Sequence, residues 1–288
     1  MAPTSRIYLT RHAQAEHNAT GDSTIADALL TKLGEQQAAR LPSLTPELQG
    51  VVEVVIASPL RRTLQSASLG YAEAIKRLGG DGKIVCLPQA QECNDVPCDT
   101  GSLREVLETQ PYFAKYDLSL LTPDWTSKQG FYAAHSDSLD ARAQWVRQYL
   151  RDRPEQHIAL VAHGDFLRRL TKEPESYWAN AEVRLFEFDP NAVHTDACPL
   201  THVAHVAEGD WTDAAAPEPV PATHAALSSM EERVKQMYVP TLLICRQASL
   251  ASQNDVLADL DRRLEAAERK KAEVRGWDSH KLEQRNPL

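Results

Sequence analysis

The chain has 288 residues, 42% hydrophobic and 25% charged, the make-up of a soluble globular protein long enough to bury its own core. With 40 Asp and Glu against 31 Lys and Arg, the formal net charge of −9 argues against a binder of nucleic acid or anionic membrane, while leaving room for a small basic pocket that takes an anionic metabolite. No apolar run reaches the roughly 18 residues of a membrane span, the segment from Met1 to Arg6 does not read as a secretory signal, and 5 cysteines make an odd set for a disulfide framework, so a reduced, cytoplasmic protein is expected.

Ile7-Tyr8-Leu9-Thr10 is a β-prone run that ends at Arg11-His12. A helical stretch follows over 32–41. The run from Val51 to Ala57 is rich in β-branched residues and reads as a second strand. Leu60, Leu64, Ala67, Tyr71, Ala74, Ile75 and Leu78 recur at helical spacing and predict one helix, stopped by Gly79-Gly80. Lys83 to Leu87 predicts a third strand, closed by Pro88. The segment 93–135 lacks periodicity, carries Pro97, Pro111 and Pro123, and reads as an insertion over the sheet's edge. Leu139, Ala143, Val146, Tyr149 and Leu150 predict a helix with Ser136 or Asp137 as its N-cap. The runs His157–Ala162 and Val183–Phe188 predict two more strands. Strands alternating with helices point to an α/β three-layer sandwich, a mostly parallel sheet with helices on both faces.

After Asp189-Pro190 the composition shifts. Residues 191–225 are rich in Ala, Pro, His and Thr and read as linker or loop, with 226–288 as a helical C-terminal extension. There Leu257, Leu260, Leu264, Ala267, Lys271 and Val274 make a short heptad seam. Such a helix packs on its own body or pairs two copies into a homodimer. His194, Cys198, His202 and His205 offer a weak metal-ligand set, and Cys86 and Cys245 read as core.

Four polar clusters stand at or just after strand ends, where open α/β sheets bind ligands. They are Arg11-His12-Ala13 with Asn18 beyond, Ser58-Pro59-Leu60-Arg61-Arg62, Gln91-Glu92, and His163-Gly164. Arginines bind phosphate oxygens with a rigid, permanently charged fork. A neutral imidazole beside them is a competent nucleophile toward phosphorus, and a carboxyl can protonate the leaving oxygen. With arginines neutralising the phosphate, neither a metal nor another cofactor is required. Taken singly, Ser58 could be only a helix cap and Pro59 its first residue, Arg61 a secondary contact or surface charge, and His17 a residue at the pocket mouth or, more commonly, an exposed loop residue.

The ordered set resembles the histidine phosphatase superfamily, in its phosphoglycerate-mutase-like branch and most closely its small fungal members. That family carries R-H-G after its first strand, here Arg11-His12-Ala13, and an Asn a few residues on, here Asn18. Its S-x-x-x-R pattern is matched by Ser58 and Arg62, its Glu by Glu92 and its His-Gly by His163-Gly164. Its L-T-x-x-G-x-x-Q segment is matched by Leu30, Thr31, Gly34 and Gln37. The resemblance covers about residues 5–190, taken as the catalytic domain. It implies that His12 becomes phosphorylated, that Arg11, Arg62, Asn18 and His163 hold the phosphoryl group, and that Glu92 is the general acid. The implied activity is hydrolysis of a small phosphomonoester. A cofactor-dependent mutase usually continues Glu-Arg-His-Tyr-Gly at the acid, whereas Glu92 is followed by Cys93-Asn94-Asp95. A lyase or hydrolase reusing the pocket for an anionic metabolite, or a binding module, are the other readings. Ala13 stands where the family has Gly, and its methyl would strain a turn that needed positive φ.

Overall fold

The computed structural model describes residues 4–209. The extension 226–288, with its seam and Cys245, lies outside the described residues. Six strands, β1 (Arg6–Arg11), β2 (Val54–Ala57), β3 (Val85–Cys86), β4 (His157–Ala162), β5 (Val183–Phe188) and β6 (Leu200–Ala207), form one sheet in the order β3-β2-β4-β1-β5-β6. The first four in that order run parallel, while β5 and β6 are antiparallel to their neighbours. The helices are α1 (Glu16–Thr20), α2 (Lys32–Leu44), α3 (Pro46–Val51), α4 (Arg61–Gly70), α5 (Ala72–Leu78), α6 (Arg104–Thr109), α7 (Ser136–Arg151) and α8 (Gly164–Thr171).

Strand side chains alternate between faces, so each apolar run feeds two cores. Tyr8, Val55, Ala57, Ala159 and Val161 pack with Leu41, Leu64 and Ala67 of α2 and α4. Ile7, Leu9, Val54, Ile56, Ile158 and Leu160 pack on the opposite face with Leu139 and Val146 of α7 and Phe166 and Leu170 of α8. Each such buried Leu, Ile or Val contributes about 1.5–3 kcal/mol, which is why the near-continuous apolar runs of β2 and β4 take the interior of the sheet. The three-layer arrangement is therefore the one expected.

The register sets the site. Arg11 of β1 pairs with Ala162 of β4, and Ala57 of β2 pairs with Val161 of β4 and Cys86 of β3. The carboxyl ends of four parallel strands thus finish level. The residues that follow them, His12, Ser58, His163 and the segment leading to Glu92, emerge on one rim.

Several local expectations are corrected. The helix predicted over 60–78 is two, α4 and α5, broken at Tyr71, whose hydroxyl bonds Thr10 Oγ1 at 2.6 Å inside the core. The N-cap of α7 is His135 rather than Ser136 or Asp137, and the Ser136 hydroxyl accepts from Arg169 instead. The N-cap of α4 is Leu60, so Ser58 is not a cap. The stretch read as a linker contains β6, which pairs with β5 over its length. Thr201, Val203, Ala204 and His205 are exposed along it, as suits an edge strand with one solvated side. Segment 93–135 does meet the sheet edge, where Asp117 bridges Val85 of β3.

Candidate active site

The loop after β1 is held by main-chain and amide contacts that give the L-T-x-x-G-x-x-Q segment its purpose. Thr31 caps α2 by accepting from the Gly34 N–H. Gln37 accepts from the Gln14 N–H at 2.9 Å, and the Thr31 N–H donates to the Gln14 carbonyl at 3.0 Å. A side chain at Gly34 would collide with that same carbonyl, so glycine is what lets α2 lie against the loop. The Ala13 N–H donates to Ser66 Oγ, its methyl is fully buried, and its φ is not positive. Alanine is tolerated here because the turn does not need the left-handed region.

His12 is 2% exposed, and its backbone is fixed from three sides. Its N–H donates to the Ala162 carbonyl, while its own carbonyl accepts from the Ala181 N–H and the Asn180 amide. The ring nitrogen Nδ1 lies 2.7 Å from the Ala13 carbonyl. A carbonyl only accepts, so Nδ1 carries the proton and Nε2 the lone pair. Arg62 Nε donates to that Nε2 at 3.1 Å. Burial, then Arg62 and Arg11, push the His12 pKa well below the ordinary imidazole value, so the ring is neutral at physiological pH.

Arg62 is fully buried and spends each guanidinium nitrogen differently: Nε on His12, Nη1 on the Cys98 carbonyl at 2.5 Å and Nη2 on Asp99 at 3.2 Å. The His163 ring stands 5.2 Å from the His12 ring, centroid to centroid. Its Nε2 is hydrogen-bonded to Ser58 Oγ at 2.8 Å, and its Nδ1 is buried without a partner among the described residues. Ser58 therefore orients an imidazole. Burial and Arg62 also hold His163 in its neutral form.

Glu92, 8% exposed, meets the start of α8. Its Oε1 accepts from the N–H groups of Cys93 (2.9 Å) and Phe166 (3.0 Å). It thus satisfies an amide that the first turn of a helix leaves open. Burial raises its pKa first, Asp99 raises it further, and Arg62 opposes both. From α7, Arg142 fixes the backbone of this segment by donating to the Gln91 carbonyl at 2.5 Å and to the Glu92 carbonyl at 3.2 Å. The sequence reading did not single out Asp99 or Arg142. Their nearness to Arg62 and Glu92 is a product of the fold.

Arg11 donates to the Trp178 carbonyl at 2.5 Å, and its Nε is buried without a partner among the described residues. It runs beside Gly164, where an added Cβ would come within 3.4 Å of Nε. Asn18 Oδ1 accepts from the Ala15 N–H, which leaves Nδ2 to donate to His17 Nε2 at 3.0 Å. His17 is not the exposed loop residue expected. Its ring lies 6.0 Å from that of His12, and burial and Arg62 lower its pKa to about 4. Arg61 is neither a secondary pocket contact nor a free surface charge. It bonds the Ala26 and Asp27 carbonyls and pairs with the buried Asp27 carboxylate, which also receives Ser102. Within the insertion, Trp125 packs on Gly101 and Tyr132 is buried, while Lys128 donates to the Glu92 carbonyl.

Beyond the geometry, the chain resembles known proteins. The family model of the histidine phosphatase superfamily (branch 1) matches residues 7–196. A Schizosaccharomyces pombe protein named as a probable phosphatase is 29% identical over 170 residues, 58% of this chain and 77% of that one. A phosphoglycerate mutase-like protein of Arabidopsis thaliana is 26% identical over 245 residues, 68% of this chain and 89% of that one. The crystal structure of a phosphoserine phosphatase from Entamoeba histolytica, with phosphoserine, superposes with a TM-score of 0.45 at 19% identity, covering 70% of this chain and 96% of that one. The family match spans both strand-end histidines, the buried arginine and the glutamate, and the chain belongs to the histidine phosphatase superfamily, branch 1.

Proposed function

We propose that this protein is a phosphoric monoester hydrolase that works through a phosphohistidine on His12. The observation that carries the reading is the tautomer. The Ala13 carbonyl holds the proton on Nδ1, so an uncharged Nε2 lone pair faces Arg62, with the His163 ring 5.2 Å away. In this reading Nε2 attacks phosphorus and the P–O ester bond breaks. Arg11, Arg62, His163 and the second amide N–H of Asn18 hold the phosphoryl oxygens where negative charge develops. Glu92 gives its proton to the leaving alkoxide. Its carboxylate then takes a proton from water, which attacks phosphorus, breaks the N–P bond and releases inorganic phosphate.

The substrate class is a small phosphorylated metabolite. Residues up to about 190 would serve as the catalytic domain, in a cytoplasmic setting, with no metal or cofactor. Among the described residues no helix is long and apolar enough to cross a membrane. A homodimer through the C-terminal seam rests on sequence alone, outside the described residues. The test is a panel of phosphomonoesters with His12→Ala as control, together with trapping of labelled phosphoenzyme. Turnover lost in the variant, with an acid-labile label on His12 in the unmodified protein, is expected. Turnover without such a label, or full activity of His12→Ala, refutes the assignment.

A further inference from the structure

His17 precedes Asn18 in α1 and has no part in the chemistry described above. Its ring lies 6.0 Å from that of His12, nearly as close as the ring of His163 at 5.2 Å. Its tautomer follows from its neighbours. Asn18 Oδ1 accepts from the Ala15 N–H, so the other end of that amide, Nδ2, is the end that meets His17 Nε2 at 3.0 Å. An amide nitrogen only donates, so Nε2 holds the lone pair and Nδ1 carries the proton. That Nδ1–H is buried and has no partner among the described residues.

A buried donor without an acceptor is costly, and such a group in a folded protein calls for an explanation. Its surroundings supply one. Arg11 Nε and His163 Nδ1 are likewise buried without a partner among the described residues, and both belong to side chains that act on His12. Three unpartnered nitrogens thus flank one nucleophile, a set that a single tetrahedral oxyanion would satisfy together. His17 differs from the arginines in charge. Burial, then Arg62, lower its pKa to about 4, so the ring offers its N–H without adding a cation beside Arg11 and Arg62. The Asn18 contact also fixes the ring's rotation, so the donor is in place before an anion arrives.

We propose that His17 is a further phosphoryl-binding residue, a neutral donor whose Nδ1–H bonds an oxygen of the group transferred to His12. This deepens the phosphatase reading and rests on it.

The probe is orthovanadate, an anion of phosphate-like shape, so the experiment does not depend on turnover. Its binding to the full-length protein is measured by calorimetry, with the melting temperature as the check on folding. His17→Phe keeps a ring and removes the donor. A hydrogen bond to a charged group is worth about tenfold to a hundredfold in binding, and the variant should bind vanadate that much more weakly. A merely structural His17 would act only by steadying Asn18, and two variants separate the roles. His17→Asn puts an amide N–H near the place of Nδ1 and offers nothing to Asn18. His17→Gln offers a carbonyl near the place of Nε2 and no donor at Nδ1. Asn is expected to recover most of the lost affinity and Gln little of it. Unchanged affinity in His17→Phe, recovery in His17→Gln, or none in His17→Asn refutes the assignment while the phosphoryl pocket stands. If His17→Phe does not fold, the Asn and Gln variants, each compared with the unmodified protein, decide in the same way. Failure of the unmodified protein to bind vanadate overturns the phosphoryl pocket and the His17 contact together.

Discussion

Replacing Glu92 by Gln separates proton donation from everything else the carboxyl does. Oε1 accepts from two backbone N–H groups, at 2.9 Å from Cys93 and 3.0 Å from Phe166. A glutamine carbonyl can accept both. Oε2 receives only a long contact, 3.4 Å from the Asp165 N–H, so little is lost when an amide nitrogen takes that position. The geometry should survive, and what disappears is the transferable proton. Removing a general acid costs about 10²–10⁴-fold, roughly 3–5 kcal/mol of barrier. That cost should depend on the leaving group. An alkoxide needs the proton, whereas p-nitrophenolate, with a pKa of about 7, leaves nearly unaided. The assay is rapid mixing with an alkyl phosphate and with p-nitrophenyl phosphate, reading the first turnover, because the same residue assists the later attack of water. For the alkyl ester the first turnover should slow by the full factor. With the aryl ester a burst of about one p-nitrophenolate per site should persist, followed by slow steady-state turnover. The pH profile gives an independent check. The pKa of Glu92 is raised by burial and Asp99, so its acid form survives above the ordinary carboxylate range and alkyl turnover should fall as pH rises through that raised value. The variant should lack this limb. Equal first-turnover losses on both substrates would refute the acid assignment.

The same substitution should affect stability in the opposite sense. A carboxyl whose folded pKa is raised stabilises the fold least where it must ionise: its contribution is intact below the unfolded value of about 4.3 and is lost as pH rises through the folded one. Glu92→Gln should therefore melt higher than the unmodified protein at pH 7.5, the gap closing toward pH 5; a lower melting temperature at pH 7.5 contradicts the raised pKa. Activity should persist after EDTA treatment and dialysis, because Arg11 and Arg62 supply the positive charge; loss restored by zinc or magnesium would show that a metal takes part.

Much of this protein was legible in the chain itself. The apolar runs Val54–Ala57 and His157–Ala162 could be stable only with both faces covered, which dictated interior strands and a layered fold. The proposed site residues Arg11, His12, Arg62, Glu92 and His163 stood out by their types and by their places after strand ends. What local pattern misjudged has physical reasons. β6 lacks a clean alternation and leaves Thr201, Val203, Ala204 and His205 exposed on its solvated side, so it resembled a loop. Ser58 satisfied the rules for a helix cap, but its hydroxyl was recruited by His163 across the rim. Other facts were decided only by tertiary structure, because they depend on groups far apart in sequence. His12 and Arg62 meet because β1 and β2 flank β4 in level register. Glu92 is held protonatable by Asp99 and by burial against α8, and Lys128 and Arg142 reach its carbonyl from 36 and 50 residues away. Sequence supplied the groups of the proposed site; proximity and burial, which set their protonation and their partners, exist only once the chain has closed around them.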